Sequence, residues 1–390
     1  MNRFLLFGLL IFITLSCKKD VPASKEFAQS DTTIESIVPD VSNVPLIEDQ
    51  KNYTITPIIE DVEIPWGMDW LPSGELIYTE KSGELIIVNG TKKVSTTGVP
   101  EVYMRGQGGL LDVSVHPNFK NNQFVYLSYA SQLGEGAGGN TTIARARLVD
   151  NELVDLKVLY KAVPNTKKGQ HFGSRFTWDD AGHLYFTVGD RGNRDVNPQD
   201  VTRDGGKVYR INDDGSIPDD NPFVGVDGAK TGIFTYGNRN PQGMTTHPVT
   251  GQIIAHEHGP QGGDEINIIE SGKNYGWPVI SYGINYSGTK FTEITEKQGM
   301  QQPIYYWVPS IAPSGFAIIN NSDYGDWNGN YLVGALKFQY LEMLHMKDQK
   351  VIKREKIADK IGRLRNVKIG PDNLIYIAVE GKGIYRIEPK

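Results

Sequence analysis

The stretch "GQHFGSRFTWDDAGHLYFTVGDRG", residues 169–192, carries a histidine and an aspartate that could act together. His171 lies on a loop between two glycines, where backbone can approach a ligand closely. Asp190 follows the predicted strand pair in the same stretch, so both side chains are expected at one end of that pair. A carboxylate beside an imidazole fixes its tautomer and stabilises its protonated form, as a general base requires. The alternative left open by these residues alone is that Asp190 caps a glycine turn and His171 fills a loop.

Basic side chains occur in three other stretches that could face the same site. Arg239 and Asn240 in "TYGNRNPQGM" suit an anion or a developing oxyanion. Arg363 and Arg365 in "GRLRNV" are two residues apart and share one face of a strand, where they repel unless an anion lies between them. Lys337 in "VGALKF" could join them. A ligand with several carboxylates explains the group, and an exposed basic edge is the alternative.

Metal-binding residues are indicated by "EHGPQGGDEINII". Gly259 and Pro260 offer main-chain carbonyls, and Asp264 and Glu265 offer carboxylates, which together suit calcium. An acidic surface turn is the alternative. The two histidines of "HEHGP" alternate along a strand and favour ordinary strand positions over zinc. The chain has no G-x-S-x-G elbow, no P-loop and no G-x-G-x-x-G motif that links a strand to a helix, so these hydrolase and dehydrogenase classes have no motif support.

A repeated unit predicts how these residues are positioned. An apolar pair, a turn rich in Pro, Asp, Asn and Gly, and an apolar strand recur with a spacing of about 40 to 75 residues, which is typical of a radial array. Six copies begin near Pro65, Gly109, Ser174, Pro241, Ser314 and Arg363. The sequence therefore predicts an all-β fold, a six-bladed β-propeller, with a pair of sandwiches as the alternative. Residues flanking the repeated unit converge on one face of a propeller and become the site candidates.

Composition and the first 50 residues indicate an exported globular protein. The 390 residues are 39% hydrophobic, and the net charge of −6 is spread without a basic cluster, so no nucleic-acid partner is expected. The segment "MNRFLLFGLLIFITLSC", residues 1–17, reads as a lipoprotein signal peptide, and an ordinary signal peptide is the alternative. Cys17, the only cysteine, would carry the lipid anchor in the cell envelope, at the periplasmic or cell-surface side. Residues 18–50 are predicted to be a flexible tether, and residues 51–390 the propeller domain.

The motifs together resemble those of one family. "RGQGGLLDVSVHP", "HFGSR", "TVGDRG", "YGNRNPQG", "NYGWP", "PSIAPSG", "GALK" and "GRLRNV" occur in the order seen in the soluble quinoprotein glucose/sorbosone dehydrogenases. The resemblance covers about residues 54–388. It implies a six-bladed propeller that uses pyrroloquinoline quinone (PQQ) and calcium to oxidise the C1 hydroxyl of aldose sugars to lactones, with an external electron acceptor.

Three catalytic roles follow from the resemblance. His171 would take the proton of the C1 hydroxyl while hydride passes to C5 of the quinone. Asp190 would hold and polarise His171, and Arg239 would stabilise the charge that grows on the C5 oxygen.

The resemblance also implies a set of cofactor-binding residues: Gln107, Arg239, Asn240, Lys337, Arg363 and Arg365. The last three would pair with the carboxylates of the quinone. Gln107 would also lie near the sugar, and Tyr306 and Trp307 would line the substrate side, although one residue is inserted after Trp307.

The same resemblance implies two metal sites and shows one departure. The carbonyls of Gly259 and Pro260 would bind a calcium that touches the quinone, and Glu265 with the carbonyl of Tyr275 would bind a second, structural calcium. Ser174 stands where the family usually has a second glycine, so a narrower loop or an added hydrogen bond is expected there.

Two other functional classes remain as alternatives. A propeller that binds a carbohydrate or a protein without redox chemistry would have no reason to keep the three cofactor-pairing cations together. A calcium lactonase propeller needs carboxylate and asparagine side chains at the axis, whereas this sequence offers main-chain carbonyls. Binding of the quinone separates these classes from the dehydrogenase.

Overall fold

The computed structural model describes residue 41 and residues 44–390. The predicted signal peptide, Cys17 and most of the predicted tether lie outside the described residues. Strands account for 44% of the structure and helices for 3%, so the prediction of an all-β six-bladed propeller is confirmed. Within the described part of the chain, no helix is long and apolar enough to cross a membrane.

Six small antiparallel sheets form the blades. The chain begins with two strands that later blades use, β1 (Leu46–Ile47) and β2 (Tyr53–Glu60). Blade 1 consists of β3 (Pro65–Trp70), β4 (Leu76–Glu80), β5 (Glu84–Asn89) and β6 (Lys92–Ser95). Blade 2 consists of β7 (Leu110–Val115), β8 (Phe124–Ser131), β9 (Asn140–Val149) and β10 (Glu152–Lys161), with a one-turn helix α1 (Phe119–Asn122) between its first two strands. Blade 3 consists of β11 (Phe176–Trp178), β12 (Leu184–Val188), β13 (Lys207–Ile211) and β14 (Ile233–Tyr236).

The remaining blades follow the same plan. Blade 4 consists of β15 (Pro241–Thr246), β16 (Ile253–Glu257), β17 (Asp264–Ile269) and β18 (Tyr305–Trp307). Blade 5 consists of β19 (Pro313–Ile318), β20 (Tyr331–Ala335), β21 (Tyr340–Lys347) and β22 (Lys350–Ile357), with a 3-10 helix (Ser322–Trp327) after its first strand. Blade 6 contains β23 (Leu364–Ile369), β24 (Ile375–Val379) and β25 (Gly383–Pro389).

The ring is closed by pairing between the two ends of the described chain. Strand β2 pairs with β25, so blade 6 takes its outermost strand from the beginning of the domain. Strand β1 adds a fifth strand to blade 5 through parallel pairing with β22, and Val44 packs against the core beside it. The structured domain therefore begins before residue 51, and the end of the predicted tether is corrected: Leu46–Ile47 belongs to a blade.

The first strand of each blade surrounds the axis. First strands of neighbouring blades contact one another all the way around, from β3 through β7, β11, β15, β19 and β23 back to β3. The second strands are buried along their whole length, as in "LIYTE" of β4 and "LYFTV" of β12. Adjacent blades cover both of their faces, which is why these strands read as continuous apolar runs rather than as alternating ones.

A β-bulge near the start of the first strand recurs in five blades. The register with the second strand shifts in β3, β7, β15, β19 and β23. A bulge bends the strand and re-aims a side chain. Polar residues at four of these bulges meet across the axis together with Arg175, which directly precedes β11, and the four are Asp112, Gln242, Ser314 and Arg365.

A buried ion pair lies at the centre of this group. Arg175 Nη1 is 3.1 Å from Asp112 Oδ1, and both side chains are almost fully buried. Arg175 also donates to the carbonyl of Gln242 at 2.9 Å and lies over the ring of Trp66 at 4.2 Å. The second oxygen of Asp112 accepts from the backbone N–H of Phe176 at 2.9 Å. Blades 1 to 4 are thus linked through one guanidinium.

Strand direction places the predicted site at one face. The first and second strands of each blade are antiparallel. Residues just before a first strand and residues just after a second strand therefore lie at the same end of a blade. Gln107, His171, Asn240 and Arg363 precede first strands, and Asp190, Gly259, Pro260 and Lys337 follow second strands.

Candidate active site

His171 and Asp190 form a close pair at this face. The distance from His171 Nδ1 to Asp190 Oδ1 is 2.6 Å, and the imidazole is 14% exposed while the carboxylate is buried. His171 has a φ of 56°, which is unusual for a residue with a side chain. Its backbone N–H donates to Gln107 Oε1 at 2.8 Å, so the predicted Gln107 also belongs to this cluster.

The remaining contacts of Asp190 fix its orientation. Oδ1 accepts from the backbone N–H of Gly192 at 2.7 Å, and Oδ2 accepts from Trp277 Nε1 at 3.0 Å. Burial acts to raise the pKa of Asp190, but the hydrogen bond from His171, the charge of Arg239 and the N–H of Gly192 act against it, and the pKa is lowered. An ionised Asp190 requires the proton of His171 to sit on Nδ1. The lone pair of Nε2 is then available to accept a proton.

The surroundings of His171 favour its neutral form. Burial lowers the pKa of His171, and the charge of Arg239 lowers it further, while Asp190 raises it. The net effect is a pKa below the ordinary value. At neutral pH the imidazole is therefore neutral, with its one proton on Nδ1 and Nε2 able to act as a base.

A glycine brings the two loops of this pair together. A Cβ atom at Gly189 would lie 2.2 Å from the carbonyl oxygen of His171 and 2.9 Å from Asn240 Oδ1. No side chain fits there, so the glycine in "TVGDRG" is required by the close approach of the loops.

Arg239 and Asn240 lie beside the pair. The backbone carbonyl of Arg239 accepts from Asp190 N–H at 2.7 Å, and Arg239 Nη1 donates to the carbonyl of His258 at 3.1 Å. Asn240 Oδ1 accepts from Gly173 N–H at 3.1 Å. Among the described residues, Asn240 Nδ2 and His258 Nε2 are buried and have no hydrogen-bond partner. Unpaired buried polar atoms are uncommon, and a ligand with polar groups next to these two would satisfy them.

Glu257 supports the Arg239–Asn240 segment and was not predicted from the sequence. Its buried carboxylate accepts from the backbone N–H of Arg239 and from Asn238 Nδ2, the latter at 2.9 Å. The acid at the end of a strand in "HEHGP" was the available signal, but the sequence does not show which loop it meets.

Arg363 and Arg365 already have an anion between them. Glu380 accepts from Arg363 Nε at 2.6 Å and from Arg365 Nε at 2.8 Å. The inference that these two cations need a ligand carboxylate is therefore corrected, because Glu380 neutralises part of their charge. Arg363 also donates to the carbonyl of Leu336 at 3.3 Å, which brings it next to the exposed Lys337.

Lys81 is a further cation at this face that the sequence did not single out. Its Nζ donates to the carbonyl of Gly106 at 2.8 Å, adjacent to Gln107. Burial lowers the pKa of Lys81, and the charge of Arg365 lowers it further. Lys81, Lys337, Arg363 and Arg365 thus form a group of cations at this face, in which Glu380 pairs with the two arginines.

The Gly259–Pro260 turn is held by an acid. Asp264 accepts from the backbone N–H of Gly259 at 2.7 Å, of Ile311 at 2.8 Å and of Ala312 at 3.0 Å. Three amides occupy this carboxylate, so Asp264 shapes the turn. Among the described residues, no hydrogen bond to the carbonyl oxygen of Gly259 or Pro260 is present, which leaves both free for a cation.

Glu265 and Tyr275, the residues predicted to hold a second calcium, line a small cavity. With Glu257 and Arg239 they surround a cavity of about 10 Å³, close to the volume that one water molecule needs. Burial and the charge of Glu257 raise the pKa of Glu265. No group of three or more His, Cys, Asp or Glu side chains in the described ranges could hold a metal ion.

Comparisons with known proteins decide the family. The model of the glucose / sorbosone dehydrogenase family matches residues 62–386. This chain belongs to that family. It is 37% identical over 352 residues to aldose sugar dehydrogenase YliI of Escherichia coli, covering 86% of this chain and 94% of that protein. It is 28% identical to quinoprotein glucose dehydrogenase B of Acinetobacter calcoaceticus, covering 87% of this chain and 73% of that protein.

Solved structures agree with this assignment. A crystal structure of a glucose dehydrogenase superposes with a TM-score of 0.83 at 36% identity and covers 86% of this chain and 99% of that one. The apo form of the soluble aldose sugar dehydrogenase from Escherichia coli gives a TM-score of 0.82 at 34% identity, covering 87% of this chain and all of that one. The predicted family is confirmed, and the chain is an oxidoreductase of the sugar dehydrogenase class.

Of the two aromatic residues that the family resemblance assigned to the substrate side, Trp307 is corrected. Trp307 is 1% exposed, and its Nε1 donates to Glu342 of blade 5 at 3.1 Å, so the side chain belongs to the core between two blades. The following Val308 is 62% exposed instead. Tyr306 lies in the outermost strand of blade 4, stacks on Tyr282 at 3.7 Å and lines a cavity of about 580 Å³.

Ser174 fits the backbone that the family glycine would adopt. Its φ is 80°, and its side chain is fully buried. Its Oγ donates to the carbonyl of Phe172 at 3.1 Å, within the His171 loop. The added hydrogen bond that the sequence suggested is present, and it offsets part of the conformational strain.

Replacing Ser174 with glycine is expected to change little. The variant loses one hydrogen bond, worth about 0.5–1.5 kcal/mol, and relieves strain of about 1 kcal/mol at the positive φ. The free energy of unfolding should therefore stay within about 1 kcal/mol of wild type, as measured by urea denaturation. A loss of more than about 3 kcal/mol would show that Ser174 has a structural role beyond these two contributions.

Proposed function

We propose that the protein is a calcium- and PQQ-dependent aldose dehydrogenase that oxidises the C1 hydroxyl to the lactone and passes electrons to an external acceptor. The observation that carries the proposal is the 2.6 Å contact of a neutral His171 with a buried, ionised Asp190 beside Arg239. The printed names of the relatives, an aldose sugar dehydrogenase and a quinoprotein glucose dehydrogenase, support this substrate class and cofactor.

The residues present fit the quinone and calcium. Asn240 Nδ2 and His258 Nε2 are buried and have no partner within the described part of the chain, as expected beside a polar ring system. Lys337, Arg363 and Arg365 would hold its carboxylates, with Glu380 keeping the arginines in place. The free carbonyls of Gly259 and Pro260 suit calcium, which prefers oxygen ligands. Glu265 and the carbonyl of Tyr275 would hold a second calcium.

The side chains around the sugar would divide the work as follows. When bound, the quinone supplies an electrophilic carbon that accepts hydride from C1 of the sugar, and calcium polarises it. Nε2 of His171 takes the hydroxyl proton, because Nδ1 is committed to Asp190. Asp190 stabilises the imidazolium that forms, and Gln107 fixes the backbone of His171 while facing the sugar side.

Arg239 would supply electrostatic stabilisation. Its side chain is 6% exposed, and one of its nitrogens is bound to the carbonyl of His258. The remaining N–H groups are directed by a backbone that Glu257 holds. A preorganised donor of this kind is typically worth about 3–4 kcal/mol in the transition state.

Reconstitution with a panel of sugars tests the proposal. Apo protein is incubated with calcium and PQQ, and reduction of a dye acceptor is followed with aldoses and, as a control, with alditols that lack the C1 hemiacetal. Dye reduction with aldoses supports the proposal. Absence of reduction with every aldose, by protein that binds the quinone, would contradict it.

The pH dependence of kcat/KM is expected to reflect the lowered pKa of His171. The base must be unprotonated, so activity rises as pH increases through this pKa and falls as pH decreases through it. Because burial and Arg239 lower the pKa, the acidic limb should have its midpoint below the ordinary value of about 6.5. A midpoint above that value, measured with a substrate whose binding does not change with pH, would show that His171 is stabilised in its charged form.

The location of the protein is part of the proposal and is supported by sequence alone. Signal cleavage before Cys17 and acylation of that residue would anchor the domain in the cell envelope, where an external acceptor can reach it. Incorporation of labelled fatty acid by wild type and by a Cys17→Ser variant tests the anchor, and equal labelling of the two proteins would exclude it.

A further inference from the structure

Arg191 is a buried cation directly after Asp190, and the catalytic scheme above does not use it. Its residue exposure is 2%, which makes it one of the largest fully buried side chains in the described structure. Its guanidinium donates to the backbone carbonyls of Gln170, of Lys168 at 2.9 Å and of Gly139 at 3.1 Å. Two of these three carbonyls belong to the loop that carries His171.

The same guanidinium covers the residue on the other side of His171. Its carbon Cζ lies 3.4 Å from the centre of the Phe172 ring. Arg191 therefore contacts both neighbours of His171, through the carbonyl of Gln170 and the ring of Phe172. Within the described residues, no carboxylate lies within ion-pair distance of this side chain. Burying a charge without an ion-pair partner is costly, so the contacts it makes must hold the loop firmly.

The loop needs such support because its backbone is strained. His171 has a φ of 56° and Arg191 also has a φ of 56°. Backbone of this kind costs about 1–3 kcal/mol for each residue and persists only where surrounding contacts fix it. Gln107 holds the N–H of His171, and Thr141 Oγ1 donates to the carbonyl of Phe172 at 2.6 Å. Arg191 supplies the remaining contact, the hydrogen bond to the carbonyl of Gln170.

We propose that Arg191 is a positioning residue for the base: it fixes the loop that presents the imidazole and places a second positive charge next to it. The inference rests on the proposed function of His171 as a base. The "TVGDRG" turn would thus support His171 in two ways. The carboxylate of Asp190 binds the imidazole ring, and the guanidinium of Arg191 contacts the two residues that flank His171.

Electrostatics give this position a second effect. The charged and titratable groups that face His171 are Asp190, Arg191, Arg239 and His258. Asp190 raises the pKa of His171, whereas Arg239 and Arg191 lower it. Burial lowers the pKa of Arg191 itself to about 9, so it remains charged at neutral pH. Removing this charge should raise the pKa of His171, while removing the contacts should disturb its placement.

Three variants separate the two effects. Arg191→Gln and Arg191→Met remove the charge and the fork of donors, and Arg191→Lys keeps the charge but offers a single donor group. Arg147→Gln is the matched control, because Arg147 forms an exposed pair with Asp155 in blade 2. The pKa of His171 is measured by NMR in apo protein, with His171→Gln used for assignment, and kcat and KM are measured after reconstitution with PQQ and calcium.

We expect the neutral variants to raise the pKa of His171 and to lower kcat roughly 10- to 100-fold, with KM changed by less than about threefold, since a displaced catalytic group mainly affects turnover. Arg191→Lys should leave the pKa close to wild type and still lower kcat. An unchanged or lower pKa in a folded neutral variant would overturn the charge effect. Wild-type kcat in Arg191→Lys would overturn the positioning role, and this result decides the matter if the neutral variants do not fold.

The test is independent of the proposed function in one arm. The NMR titration needs neither quinone nor sugar, so a shifted pKa in the Arg191 variants together with no sugar oxidation by wild-type protein would reject the function and keep the inference. Sugar oxidation by wild-type protein, together with Arg191 variants whose His171 pKa and kcat equal those of wild type, would keep the proposed function and reject the inference.

Discussion

Replacing His171 with glutamine is expected to lower kcat for aldose oxidation by about 10²- to 10⁴-fold, the contribution typical of a general base. Glutamine is close in size and its side-chain amide can still donate to Asp190, but it has no basic nitrogen. The quinone should remain bound with an affinity within a few-fold of wild type, because the cations that hold its carboxylates are unchanged. Turnover with saturating dye acceptor and quinone absorption are measured on the same preparation.

A second histidine–aspartate pair provides the control. His183 Nδ1 lies 2.8 Å from Asp179 Oδ2 in the turn between β11 and β12, at the opposite end of the same strand pair. His183→Gln removes a histidine of the same blade without touching the site, so kcat should be unchanged. A His171→Gln variant that retains more than a tenth of wild-type kcat would show that His171 is not the base.

The largest effect on stability is expected from the axial ion pair. Asp112→Asn leaves the guanidinium of Arg175 buried without its counter-charge, and breaking a buried pair in this way costs about 3–5 kcal/mol. The free energy of unfolding should fall by that amount in urea denaturation of the apo protein. The second partner of Arg175, the carbonyl of Gln242, cannot compensate, because it carries no net charge.

The double variant Asp112→Leu with Arg175→Met separates charge from packing. Replacing a whole buried ion pair by apolar side chains is often neutral or stabilising, so the double variant should be more stable than Asp112→Asn. The exposed pair of Arg147 and Asp155 is the surface control, and Asp155→Asn should cost less than about 1 kcal/mol. Equal losses for Asp112→Asn and Asp155→Asn would show that the axial pair does not stabilise the ring.

The repeated turn and strand unit was sufficient to predict the architecture. Six copies require six sheets, and a strand such as "LYFTV" is continuous and apolar because it lies between two blades. The closure of the ring was not predictable in the same way. Leu46–Ile47 has only two residues and Tyr53–Glu60 lies outside the repeated unit, so only their pairing with β22 and β25 shows which blades they complete.

The site was predicted to the level of residue type and face, and less well at the level of contacts. His171 and Asp190 lie in one repeat, so their meeting followed from the strand pair between them. Glu380 and Trp277 come from other segments, and their contacts with Arg365 and Asp190 depend on which loops meet at the face. No local pattern contains this information.

Bulges and insertions account for the remaining differences. The register shifts at the starts of five first strands aim polar side chains at the axis, and the sequence has no spacing rule that marks them. The family motif match has one inserted residue after Trp307, and in the structure Trp307 is buried while Val308 is exposed. A single-residue shift moves a side chain to the other face of a strand, so motif matching is least reliable at such positions.

The most direct test of the proposed cofactor chemistry is an absorption titration of the apo protein with PQQ in the presence of calcium, followed by addition of an aldose without any external acceptor. We predict saturable binding with one quinone per chain, and a change of the bound quinone spectrum to that of the reduced form when the sugar is added. A spectrum that shows no binding at micromolar quinone and millimolar calcium, or bound quinone that no aldose reduces, would contradict the account.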